Sequence, residues 1–499
     1  MAAGHRHDDH RQMQQPAIFT EEGYMLRIGA IVLAAGEGKR MGACKPLLPL
    51  GASTVLAHVA KTLLPAINGP LVVVTGHHGD AVTAEALRLS LETAENTTPQ
   101  DGMFSSVRTG IAHIVGRVDG VLVLPADIPF VRTATCALVV EAFRRHRAAV
   151  TYPTLCGERG HPPLLDADTM RAVLASSGDG GLRGVLLALE RQGGTTHDVA
   201  VADEGIVTDM DTPADHAQLV ARHPLRHIPT PREREALLEM AGTPARVRAH
   251  CRMVARAALA MAAHLEATRR GFISPFARQS APHGISTSGA HAEPRSVPAS
   301  TTTHAVHAEG NTTLPHTATA HVACPPPDVT TGPMPTCQPG HMPDHMPGTA
   351  RDAAQQAPAA TASPQRLDRP LIHAAATLHD ICKGTQRHEA AGGALLTRHG
   401  FPEVGSIIAA HRDIAPQAGP EIDEAALVML ADKYVRGVSL IPVEERFDER
   451  LREWAHRPDV ACDIAARKAR VLMVRDLFES ETATELFPLL QRKVRRGTF

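Results

Sequence analysis

The chain has few aromatic residues, no strong excess of charge and no long apolar run. Phenylalanine, tryptophan and tyrosine together make up 3% of its 499 residues, so its cores must be mainly aliphatic. The 51 basic and 53 acidic residues leave a formal net charge of −2. This balance gives no electrostatic reason to expect a nucleic acid or an acidic membrane as partner. No apolar run reaches the length that a bilayer requires.

The cysteines are scattered, and no CxxC pair occurs among them. They are Cys44, Cys136, Cys156, Cys251, Cys324, Cys337, Cys382 and Cys462. Isolated thiols suit a reducing compartment better than a disulfide framework or a structural zinc site. Residues 1–15 are polar and rich in histidine, without the apolar core of a signal peptide. We therefore expect a cytoplasmic protein.

Short apolar runs alternate with helical patterns from Ile28 to about Val220, which is typical of βαβ units. Four predicted strands are nearly all apolar, which favours central strands of a parallel sheet covered on both faces. These strands are Ile28–Leu33, Leu71–Thr75, Val121–Pro125 and Ala149–Pro153, and the predicted helices include Val55–Leu64, Ala81–Leu91 and Ser105–Val115. The first half of the chain is thus predicted to be a Rossmann-like α/β domain.

The composition changes twice in the second half. Residues 231–270 are strongly helical in pattern, whereas residues 274–365 are crowded with Thr, Pro, His, Ala and Gly and are predicted to be disordered. Their histidines lack a regular spacing, which favours a solvated spacer over a metal buffer. Helical periodicity resumes near Arg369. The predicted division is a disordered tail (1–25), an α/β domain (26–222), the first part of an all-α domain (228–272), a disordered insertion (273–366) and the rest of the all-α domain (367–499).

The segment IGAIVLAAGEGKRMGACKPLLPLG runs from the first strand into a glycine-rich loop. Gly36, Gly38 and Gly42 would let backbone N–H groups approach a triphosphate, and Arg40 and Lys45 would balance its charge. The segment is neither a Walker motif nor a GxGxxG. Taken alone, it fits a tight turn with two surface cations equally well.

Two acidic segments favour the phosphate-binding interpretation. VLVLPADIP places Asp127 just beyond the end of a buried strand, where open α/β sheets bind ligands. TDMDTPAD supplies Asp211 from a loop ahead of a helix. Nucleotidyl transfer needs carboxylates that hold Mg²⁺ against the phosphates, and Asp127 and Asp211 are the candidates. Asp215 is better explained as a helix N-terminal charge, and Asp209 is undecided.

These segments together resemble a known family. LAAGEGKRMG followed by Lys45, then PADIP, GERGHPPLL and DMDTPAD, looks like the nucleotidyltransferases that load nucleotides onto molybdopterin. The likeness is strongest to molybdenum cofactor cytidylyltransferases and covers nearly all of residues 28–220. Guanylyl-adding relatives typically carry LAGG where this chain has LAAG, so Ala35 favours CTP over GTP.

The resemblance implies a site and a reaction. The terminal phosphate of molybdopterin would attack the α-phosphorus of CTP and release pyrophosphate, with Mg²⁺ on Asp127 and Asp211 and with Arg40 and Lys45 stabilising the departing group. The implied nucleotide contacts are Leu33, Ala34, Ala35, Gly36, Gly38, Arg40, Lys45 and, from DGMFSSVRTG, Ser106; the implied acceptor contacts are Gly160, His161 and Pro162. Molybdoenzymes that receive the cofactor would be further partners.

The loop also departs from the family pattern. Glu37-Gly38-Lys39 stands where the family often has a second small polar residue, and related enzymes acting on sugars share the same loop. Transfer to a sugar 1-phosphate therefore stays open as an alternative.

A second set of chemically active residues lies in the C-terminal half. It comprises His250, His379, Asp380, His388, His411 and Asp432. Imidazole and carboxylate together suit a first-row divalent metal, which activates water for phosphoester hydrolysis. Each histidine alone is better explained as an ordinary core or surface residue, but the ordered set in Ala-rich helical surroundings favours a metal site.

This set resembles the HD phosphohydrolase family in its HDIG variant, with Cys382 in place of the glycine. By that resemblance, one divalent transition metal such as Mn²⁺ or Fe²⁺ would be bound by His250, His379, Asp380 and Asp432. His388 and His411 match positions that hold a second metal or the substrate phosphate. A purely regulatory, nucleotide-sensing role of this domain is the alternative to hydrolysis.

The spacing of the first histidine is unusual for that family. About 130 residues separate His250 from His379, and they contain the whole Pro/Thr/His-rich tract. We infer an insertion between two helices of the domain, which is tolerable because the cost of loop closure grows only logarithmically with length. His264, later on the same predicted helix, is the substitute candidate for the first ligand.

Overall fold

The computed structural model describes residues 25–271, 366–412 and 422–496. The two segments expected to be disordered, 1–25 and 273–366, lie almost wholly outside these described residues. Within the described ranges, none of the helices combines the length and the apolar character that crossing a membrane would require.

The N-terminal region is built on one mixed sheet. Its strands, with a small accessory pair β2–β3, are β1 (Ile28–Leu33), β2 (Pro49–Leu50), β3 (Ser53–Thr54), β4 (Leu71–Thr75), β5 (Glu92–Glu95), β6 (Gly120–Pro125), β7 (Val150–Leu155), β8 (Glu158–Arg159), β9 (Leu164–Asp166) and β10 (Thr196–Ala200). The main sheet has the order β10-β7-β9-β6-β1-β4-β5, and β8 pairs with β7. β1 pairs in parallel with both β4 and β6.

Helices cover both faces of this sheet. They are α1 (Val55–Leu63), α2 (Gly79–Arg88), α3 (Met103–Ile114), α4 (Thr133–His146), α5 (Ala167–Ala175), α6 (Gly181–Arg191) and α7 (Pro213–Arg222). All six residues of β1 are buried. Ala30 and Val32 join the core that α1 and α4 cover, whereas Ile31 joins the core that α3 covers. A strand buried on both faces has no polar alternation, which explains its continuous apolar sequence.

The sheet is not wholly parallel, contrary to the expectation from the apolar runs. β9 lies between β6 and β7 and is antiparallel to both. Only three residues form β9, which is too short to give a periodic signal. Its Leu164 and Leu165 are nonetheless fully buried, so the antiparallel strand completes the core.

The C-terminal region is helical, as expected, apart from one two-stranded hairpin. Its elements are α8 (Pro231–Met240), α9 (Ala245–Arg269), α10 (Arg369–Leu378), α11 (His388–Arg398), α12 (Pro402–Ala410), α13 (Glu424–Lys433), β11 (Val435–Arg436), β12 (Ser439–Leu440), α14 (Val443–Glu453), α15 (Pro458–Thr482) and α16 (Leu486–Arg496). The long helix α9 packs against α10, α13, α15 and α16. It thereby joins the residues before the Pro/Thr/His-rich tract to those after it.

The two regions share one apolar core instead of meeting at a linker. Leu155 and Ile206 of the N-terminal region belong to the same buried cluster as Leu237 and Phe401 of the helical region. The buried guanidinium of Arg132 supports this junction from the polar side. Its Nη2 lies 3.1 Å from Glu233 Oε1, its Nη1 donates to Arg226 O at 2.5 Å, and its charge lies over the Phe401 ring.

Candidate active sites

The glycine-rich loop follows β1 and encloses a small cavity. Gly38 has a φ of +71°, and a Cβ there would lie 2.4 Å from Ala43 O, so both conformation and space require glycine. A Cβ on Gly36 would instead meet nothing within 4 Å. The cavity has a volume of about 190 Å³ and is lined by Leu33, Ala34, Gly36, Gly38, Lys39, Arg40, Lys45, Pro46, Ala126 and Asp127. Most of the residues predicted to bind nucleotide thus surround one space.

The two predicted carboxylates meet around Lys45, which lines this cavity together with Asp127. Lys45 Nζ donates to Asp127 Oδ2 at 3.0 Å and to Asp211 Oδ1 at 2.6 Å. Arg40 Nη2 lies 2.8 Å from Asp211 Oδ2. The hydrogen bond from Lys45 lowers the pKa of the Asp211 carboxyl. The Asp211 carboxylate is therefore ionised near neutral pH.

Backbone contacts explain why residues so distant in sequence come together. Asp127 follows β6 at the carboxyl end of the sheet, and Met210 N donates to Asp127 O at 2.9 Å. Asp211 is oriented by a capping box at the start of α7, in which Asp215 accepts from the N–H groups of Asp211 and Thr212. Asp215 is therefore a helix-capping residue, as expected from its position.

The donor set fits a hard divalent cation. An ammonium group held between two carboxylates marks a position where positive charge is stabilised, and carboxylate oxygens are ligands that Mg²⁺ accepts. Asp209 is exposed, in contrast to its neighbour Met210, which is buried. The structure thus favours Asp211 over Asp209 as the carboxylate of this loop that joins Asp127 at Lys45.

A larger cavity of about 740 Å³ adjoins the first, since Leu33 lines both. Its walls are largely apolar, with Phe104, Val107, Tyr152 and Leu186 among them, and they include Gly160 and His161. Burial lowers the pKa of His161, which keeps its imidazole neutral. Its buried Nδ1 atom has no hydrogen-bond partner among the described residues. This atom is available to a ligand in the cavity.

Three predicted contacts, Ala35, Ser106 and Pro162, lie outside the walls of these cavities. Pro162, which follows His161 through a cis peptide bond, is not among the residues that line either cavity, although its neighbour Pro163 is. Ser106 is buried, and its Oγ accepts a hydrogen bond from Asn96 Nδ2 at 3.0 Å. Direct contacts of Pro162 and Ser106 with ligands therefore stay predictions.

In the helical region, the predicted metal ligands converge although the sequence separates them widely. His250 Nε2, from α9, lies 3.2 Å from Asp432 Oδ1 and 3.9 Å from Asp380 Oδ2. His379 Nε2 lies 3.6 Å from Asp380 Oδ2 and 3.7 Å from Asp432 Oδ1. The substitute candidate His264 takes no part, because its Nε2 contacts Thr484 Oγ1 at 3.1 Å.

Hydrogen bonds fix the orientation of three of these rings. The Nδ1 atoms of His250, His379 and His411 lie 3.0, 2.9 and 2.6 Å from the carbonyl oxygens of Gly437, Ala376 and Ile408. A carbonyl only accepts, so each Nδ1 must carry the proton, and each Nε2 is the nitrogen that faces the carboxylates and would bind a metal placed between them. In metal sites generally, a hydrogen-bond partner on the second ring nitrogen fixes the tautomer and the orientation of a ligating histidine.

Asp380 joins two groups of potential ligands. His250, His379 and Asp380 form one group, and Asp380, His388 and His411 form the other. His388 Nε2 lies 3.1 Å and His411 Nε2 3.6 Å from Asp380 Oδ1, whereas the first group uses the other carboxylate oxygen. The positions assigned to a second metal or a phosphate therefore adjoin the first group.

Burial and charge both fit a divalent metal. His379 Nε2 is fully buried, and within the described residues it has no hydrogen-bond partner. Burial raises the pKa of Asp432, but Lys433, His250 and His379 outweigh this effect and hold it well below its usual range. An ionised carboxylate beside a lone imidazole nitrogen is the donor pair that a first-row metal needs.

The structure adds residues to this site that the sequence did not indicate. Lys433 Nζ donates to Asp432 Oδ2 at 2.7 Å, and Lys383 Nζ donates to Asp380 Oδ1 at 3.1 Å. Arg446 Nη1, from α14, donates to Asp432 O at 2.6 Å. Lys433 and Lys383 lie one and three residues beyond predicted ligands, so a search for charges near the motif could find them. Arg446 carries no such signal.

Family models match both regions. Residues 30–193 match the MobA-like NTP transferase domain, and residues 344–437 match the HD domain. The second match begins beyond His250. The structure nevertheless brings that histidine to the His379–Asp380 pair.

Two similar proteins each match less than half of this chain. Nicotine blue oxidoreductase of Paenarthrobacter nicotinovorans is 30% identical over 194 residues, which are 37% of this chain and 92% of that protein. The bifunctional protein GlmU of Gloeobacter violaceus is 35% identical over 150 residues, 28% of this chain. The chain spans only 32% of the length of that relative.

Among solved structures, Rv0371c from Mycobacterium tuberculosis H37Rv is 24% identical, with a TM-score of 0.35. The match covers 39% of this chain and 98% of that one, and nothing about function follows from it. The family models and the nearly full-length relative are sufficient for an assignment. The chain belongs to the MobA-like NTP transferase family and carries an HD domain C-terminal to its transferase domain.

Proposed function

We propose that the N-terminal domain comprises residues 26–222 and transfers the CMP moiety of CTP to the terminal phosphate of molybdopterin. One observation carries the proposal. The cavity that contains Lys45 and Asp127 adjoins a larger, mostly apolar cavity that contains His161, and Leu33 lines both. A triphosphate in the first cavity and a flat heterocyclic acceptor in the second would meet near Leu33.

The reaction needs positioning and charge stabilisation more than covalent chemistry. An oxygen of the acceptor phosphate would attack the α-phosphorus of CTP, the bond from that phosphorus to the bridging oxygen would break, and pyrophosphate would leave. Arg40 and Lys45 would stabilise charge on the pyrophosphate. Asp127 and Asp211 would hold Mg²⁺, which supplies neutralisation of the triphosphate. The glycine loop would offer backbone N–H groups to the triphosphate.

The acceptor cavity also bears on the alternative of a sugar 1-phosphate. A sugar presents hydroxyl groups on every side, and those that meet Phe104, Val107 and Leu186 would be buried without partners, although Arg159 and Arg183 line the same cavity. A pterin has apolar faces and polar edges, and His161 Nδ1 offers a partner for one edge. These contacts favour molybdopterin.

The direct test incubates the full chain with CTP, GTP or UTP, and with molybdopterin or a panel of sugar 1-phosphates. We expect pyrophosphate and a nucleotide adduct only with CTP and molybdopterin. Adduct formation only with a sugar phosphate would overturn the acceptor, and a preference for GTP would overturn the base. Since one relative is named an oxidoreductase, the panel includes reduced nicotinamide donors. Oxidation of a nicotinamide donor without any release of pyrophosphate from the nucleotide would refute the transferase proposal.

For the helical region we propose metal-dependent phosphohydrolysis, with the HD domain comprising residues 228–272 and 367–499. His250, His379, Asp380 and Asp432 would hold one transition metal, Mn²⁺ or Fe²⁺, and His388 and His411 would contribute to a second metal or to phosphate binding. Such a metal supplies activation of water at neutral pH. The chain orients the imidazoles through their Nδ1–H groups and keeps Asp380 and Asp432 ionised.

The alternative is a domain that senses nucleotides without hydrolysing them. The two carboxylates and four histidines all converge, which a purely regulatory module would not require. Metal analysis of the full chain, followed by hydrolysis of p-nitrophenyl phosphate with Mn²⁺ or Fe²⁺, separates the two. We expect bound metal and turnover; bound metal without turnover of any phosphoester would favour sensing.

We further propose a cytoplasmic location for the protein, with molybdoenzymes as recipients of the product. The six cysteines within the described residues are all free, which is consistent with a reducing compartment.

A further inference from the structure

A cavity of about 210 Å³ opens beside the metal-ligand cluster, and cations dominate its walls. His388, His411 and Asp432 connect it to the cluster. Six basic residues line it, namely Lys383, Arg412, Lys433, Arg446, Arg450 and Arg467. Glu389 and Asp432 are the acidic residues of the lining. The walls therefore carry a clear excess of positive charge before any metal is bound.

The two lysines lie closest to the cluster and are matched by its carboxylates. Lys383 Nζ contacts Asp380 and Lys433 Nζ contacts Asp432. Their charges offset those of the metal ligands. Arg412 Nη1 lies 3.3 Å from Glu389 Oε1, and the remaining arginines of the lining supply the excess.

Two of these arginines follow each other at helical spacing on α14. Arg446 and Arg450 are at positions i and i+4, so both side chains project from one face of the helix. Like charges at this spacing destabilise a helix. Folding alone therefore does not favour the pair, whereas a bound anion would relieve the repulsion.

Arg446 and Arg450 differ in their partners. Arg446 Nη1 donates to the carbonyl oxygens of Asp432 and Val435 at 2.6 and 2.5 Å, and its Nη2 lies 3.9 Å from Asp432 Oδ1, a carboxylate that Lys433 also contacts. Within residues 25–271, 366–412 and 422–496, the Arg450 side chain makes neither a hydrogen bond nor an ion pair. Burial lowers the pKa of Arg450, and the nearby charges of Arg446, Arg467 and Arg412 lower it further. Positive potential is thus concentrated at Arg450.

We propose that this arginine cluster is a subsite for a phosphate chain, so that the HD site takes substrates with two or more linked phosphoryl groups. The inference rests on the hydrolase function proposed above. One phosphoryl group would lie at the His388–His411 end of the cavity, and the next would contact Arg446 and Arg450. Hydrolysis would then break a P–O bond of the anhydride: the oxygen of water bonds to phosphorus, the bridging oxygen leaves with the second phosphate, and a proton is released.

A nucleoside polyphosphate and an inorganic chain such as pyrophosphate share this chemistry. Arg450 is exposed and lies outside the metal ligands, so its replacement leaves the cluster intact. Arg452, two residues later on α14, is also exposed, bonds only to Asp448 O among the described residues, and does not line the cavity. Arg450→Ala and Arg452→Ala are therefore a matched pair.

The test measures binding of inorganic tripolyphosphate to the full chain by calorimetry, without free divalent ions. All proteins carry Lys45→Ala, which removes the contribution of the transferase site. We expect Arg450→Ala to weaken binding about tenfold, the loss of one charge-assisted contact, and Arg452→Ala to change it less than twofold. Binding should also weaken steeply as salt is added. Equal effects of the two variants, or orthophosphate binding as tightly as tripolyphosphate, would overturn the subsite.

A second readout separates this inference from the hydrolase proposal and identifies the source of the chain. Turnover of p-nitrophenyl phosphate without any preference for phosphate chains would leave the hydrolase standing and refute the subsite. Tripolyphosphate binding that depends on Arg450, without turnover of any phosphoester, would leave the subsite standing and refute the hydrolase. Comparing CTP with pyrophosphate as substrates then shows whether the chain is taken with or without a nucleoside.

Discussion

The two candidate sites differ in the structural elements that carry them and in the burial of their residues. The transferase site lies on loops at the carboxyl end of a sheet, where an exposed arginine and a partly buried lysine pair with partly buried carboxylates. The HD site lies among helices, and its His379, Asp380 and Asp432 are buried. A loop site can exchange Lys45 for another cation with little rearrangement. The imidazoles of His250, His379 and His411 are each held by a backbone carbonyl and are therefore oriented before any metal arrives.

This difference predicts how each site responds to change. Loss of a transferase carboxylate removes charge stabilisation from one reaction step and leaves the fold intact. Loss of an HD ligand removes a metal. The shared core and the Arg132 junction, in contrast, should affect both sites together. The predictions below follow this order, from the largest expected effect to the smallest.

Asp127→Asn should lower CMP transfer by about 10³-fold, because a neutral amide holds neither Lys45 nor a divalent cation as the carboxylate does. Steady-state release of pyrophosphate measures the effect, and phosphoester hydrolysis in the same sample should be unchanged. Asp209→Asn is the matched control, because Asp209 is exposed beside the site. Comparable losses in the two variants would remove Asp127 from the proposed machinery.

His250→Ala should weaken metal binding and hydrolysis by about 10²-fold, because even outer partners of metal ligands contribute 10- to 100-fold. Metal content after dialysis gives a readout independent of turnover. His264→Ala, on the same helix, is the control, since His264 contacts Thr484 and lies outside the cluster. Retention of metal by His250→Ala, or loss of metal by His264→Ala, would contradict the assignment.

Arg132→Met should destabilise the fold by about 3 kcal/mol, because Glu233 would remain buried without its cation. If the two regions form one cooperative unit, transfer and hydrolysis should be lost at the same lowered temperature. The exposed Arg144 on α4 provides the control, Arg144→Met. Heat inactivation of transfer alone would show that the regions unfold separately.

The smallest effect concerns the pH dependence of the same junction. Ala202 N donates to His399 Nδ1 at 3.4 Å, and burial, together with Arg398, lowers the pKa of His399 to about 4. The unfolded chain, with a pKa near 6.5, binds this proton more readily than the folded chain. Stability from neutral His399 is therefore complete above pH 6.5 and is lost as the pH falls toward 4, by about 2 kcal/mol at pH 5.

The free energy of unfolding in urea, measured at pH 8 and at pH 5, reports this contribution of His399 to stability. His399→Gln should show a smaller loss of stability on acidification than the parent chain, whereas His456→Gln, at an exposed position, should show the full loss. The same acid sensitivity in His399→Gln as in the parent would mean that other groups cause it.

Much of both sites could be predicted where residues close in sequence carry the chemistry. β1 and β4 begin and end at the predicted residues, because strands buried on both faces are apolar throughout. The adjacent pair His379–Asp380 and the glycine loop are local motifs of the same kind. Their meaning depended on the resemblance to known families, since each motif alone had an ordinary structural explanation.

The remaining features depend on contacts that a local pattern does not encode. β9 is antiparallel because of its place between β6 and β7, and its three residues give no periodic signal. The arginine cluster brings Arg412 of the segment after α12 to Arg446 and Arg450 of α14, and no spacing rule connects these positions. The shared core between the two regions likewise arises from tertiary packing alone.

Metal dependence of the two reactions in one sample tests the central claim most directly. The full chain is stripped of metal with a chelator and assayed for CMP transfer and for phosphoester hydrolysis after Mg²⁺, Mn²⁺ or Fe²⁺ is returned. The two sites predict that Mg²⁺ alone restores transfer but not hydrolysis, and that Mn²⁺ or Fe²⁺ restores hydrolysis. Recovery of both reactions in parallel with Mg²⁺ alone, or hydrolysis that no transition metal restores, would contradict an account of two chemically distinct metal sites in one chain.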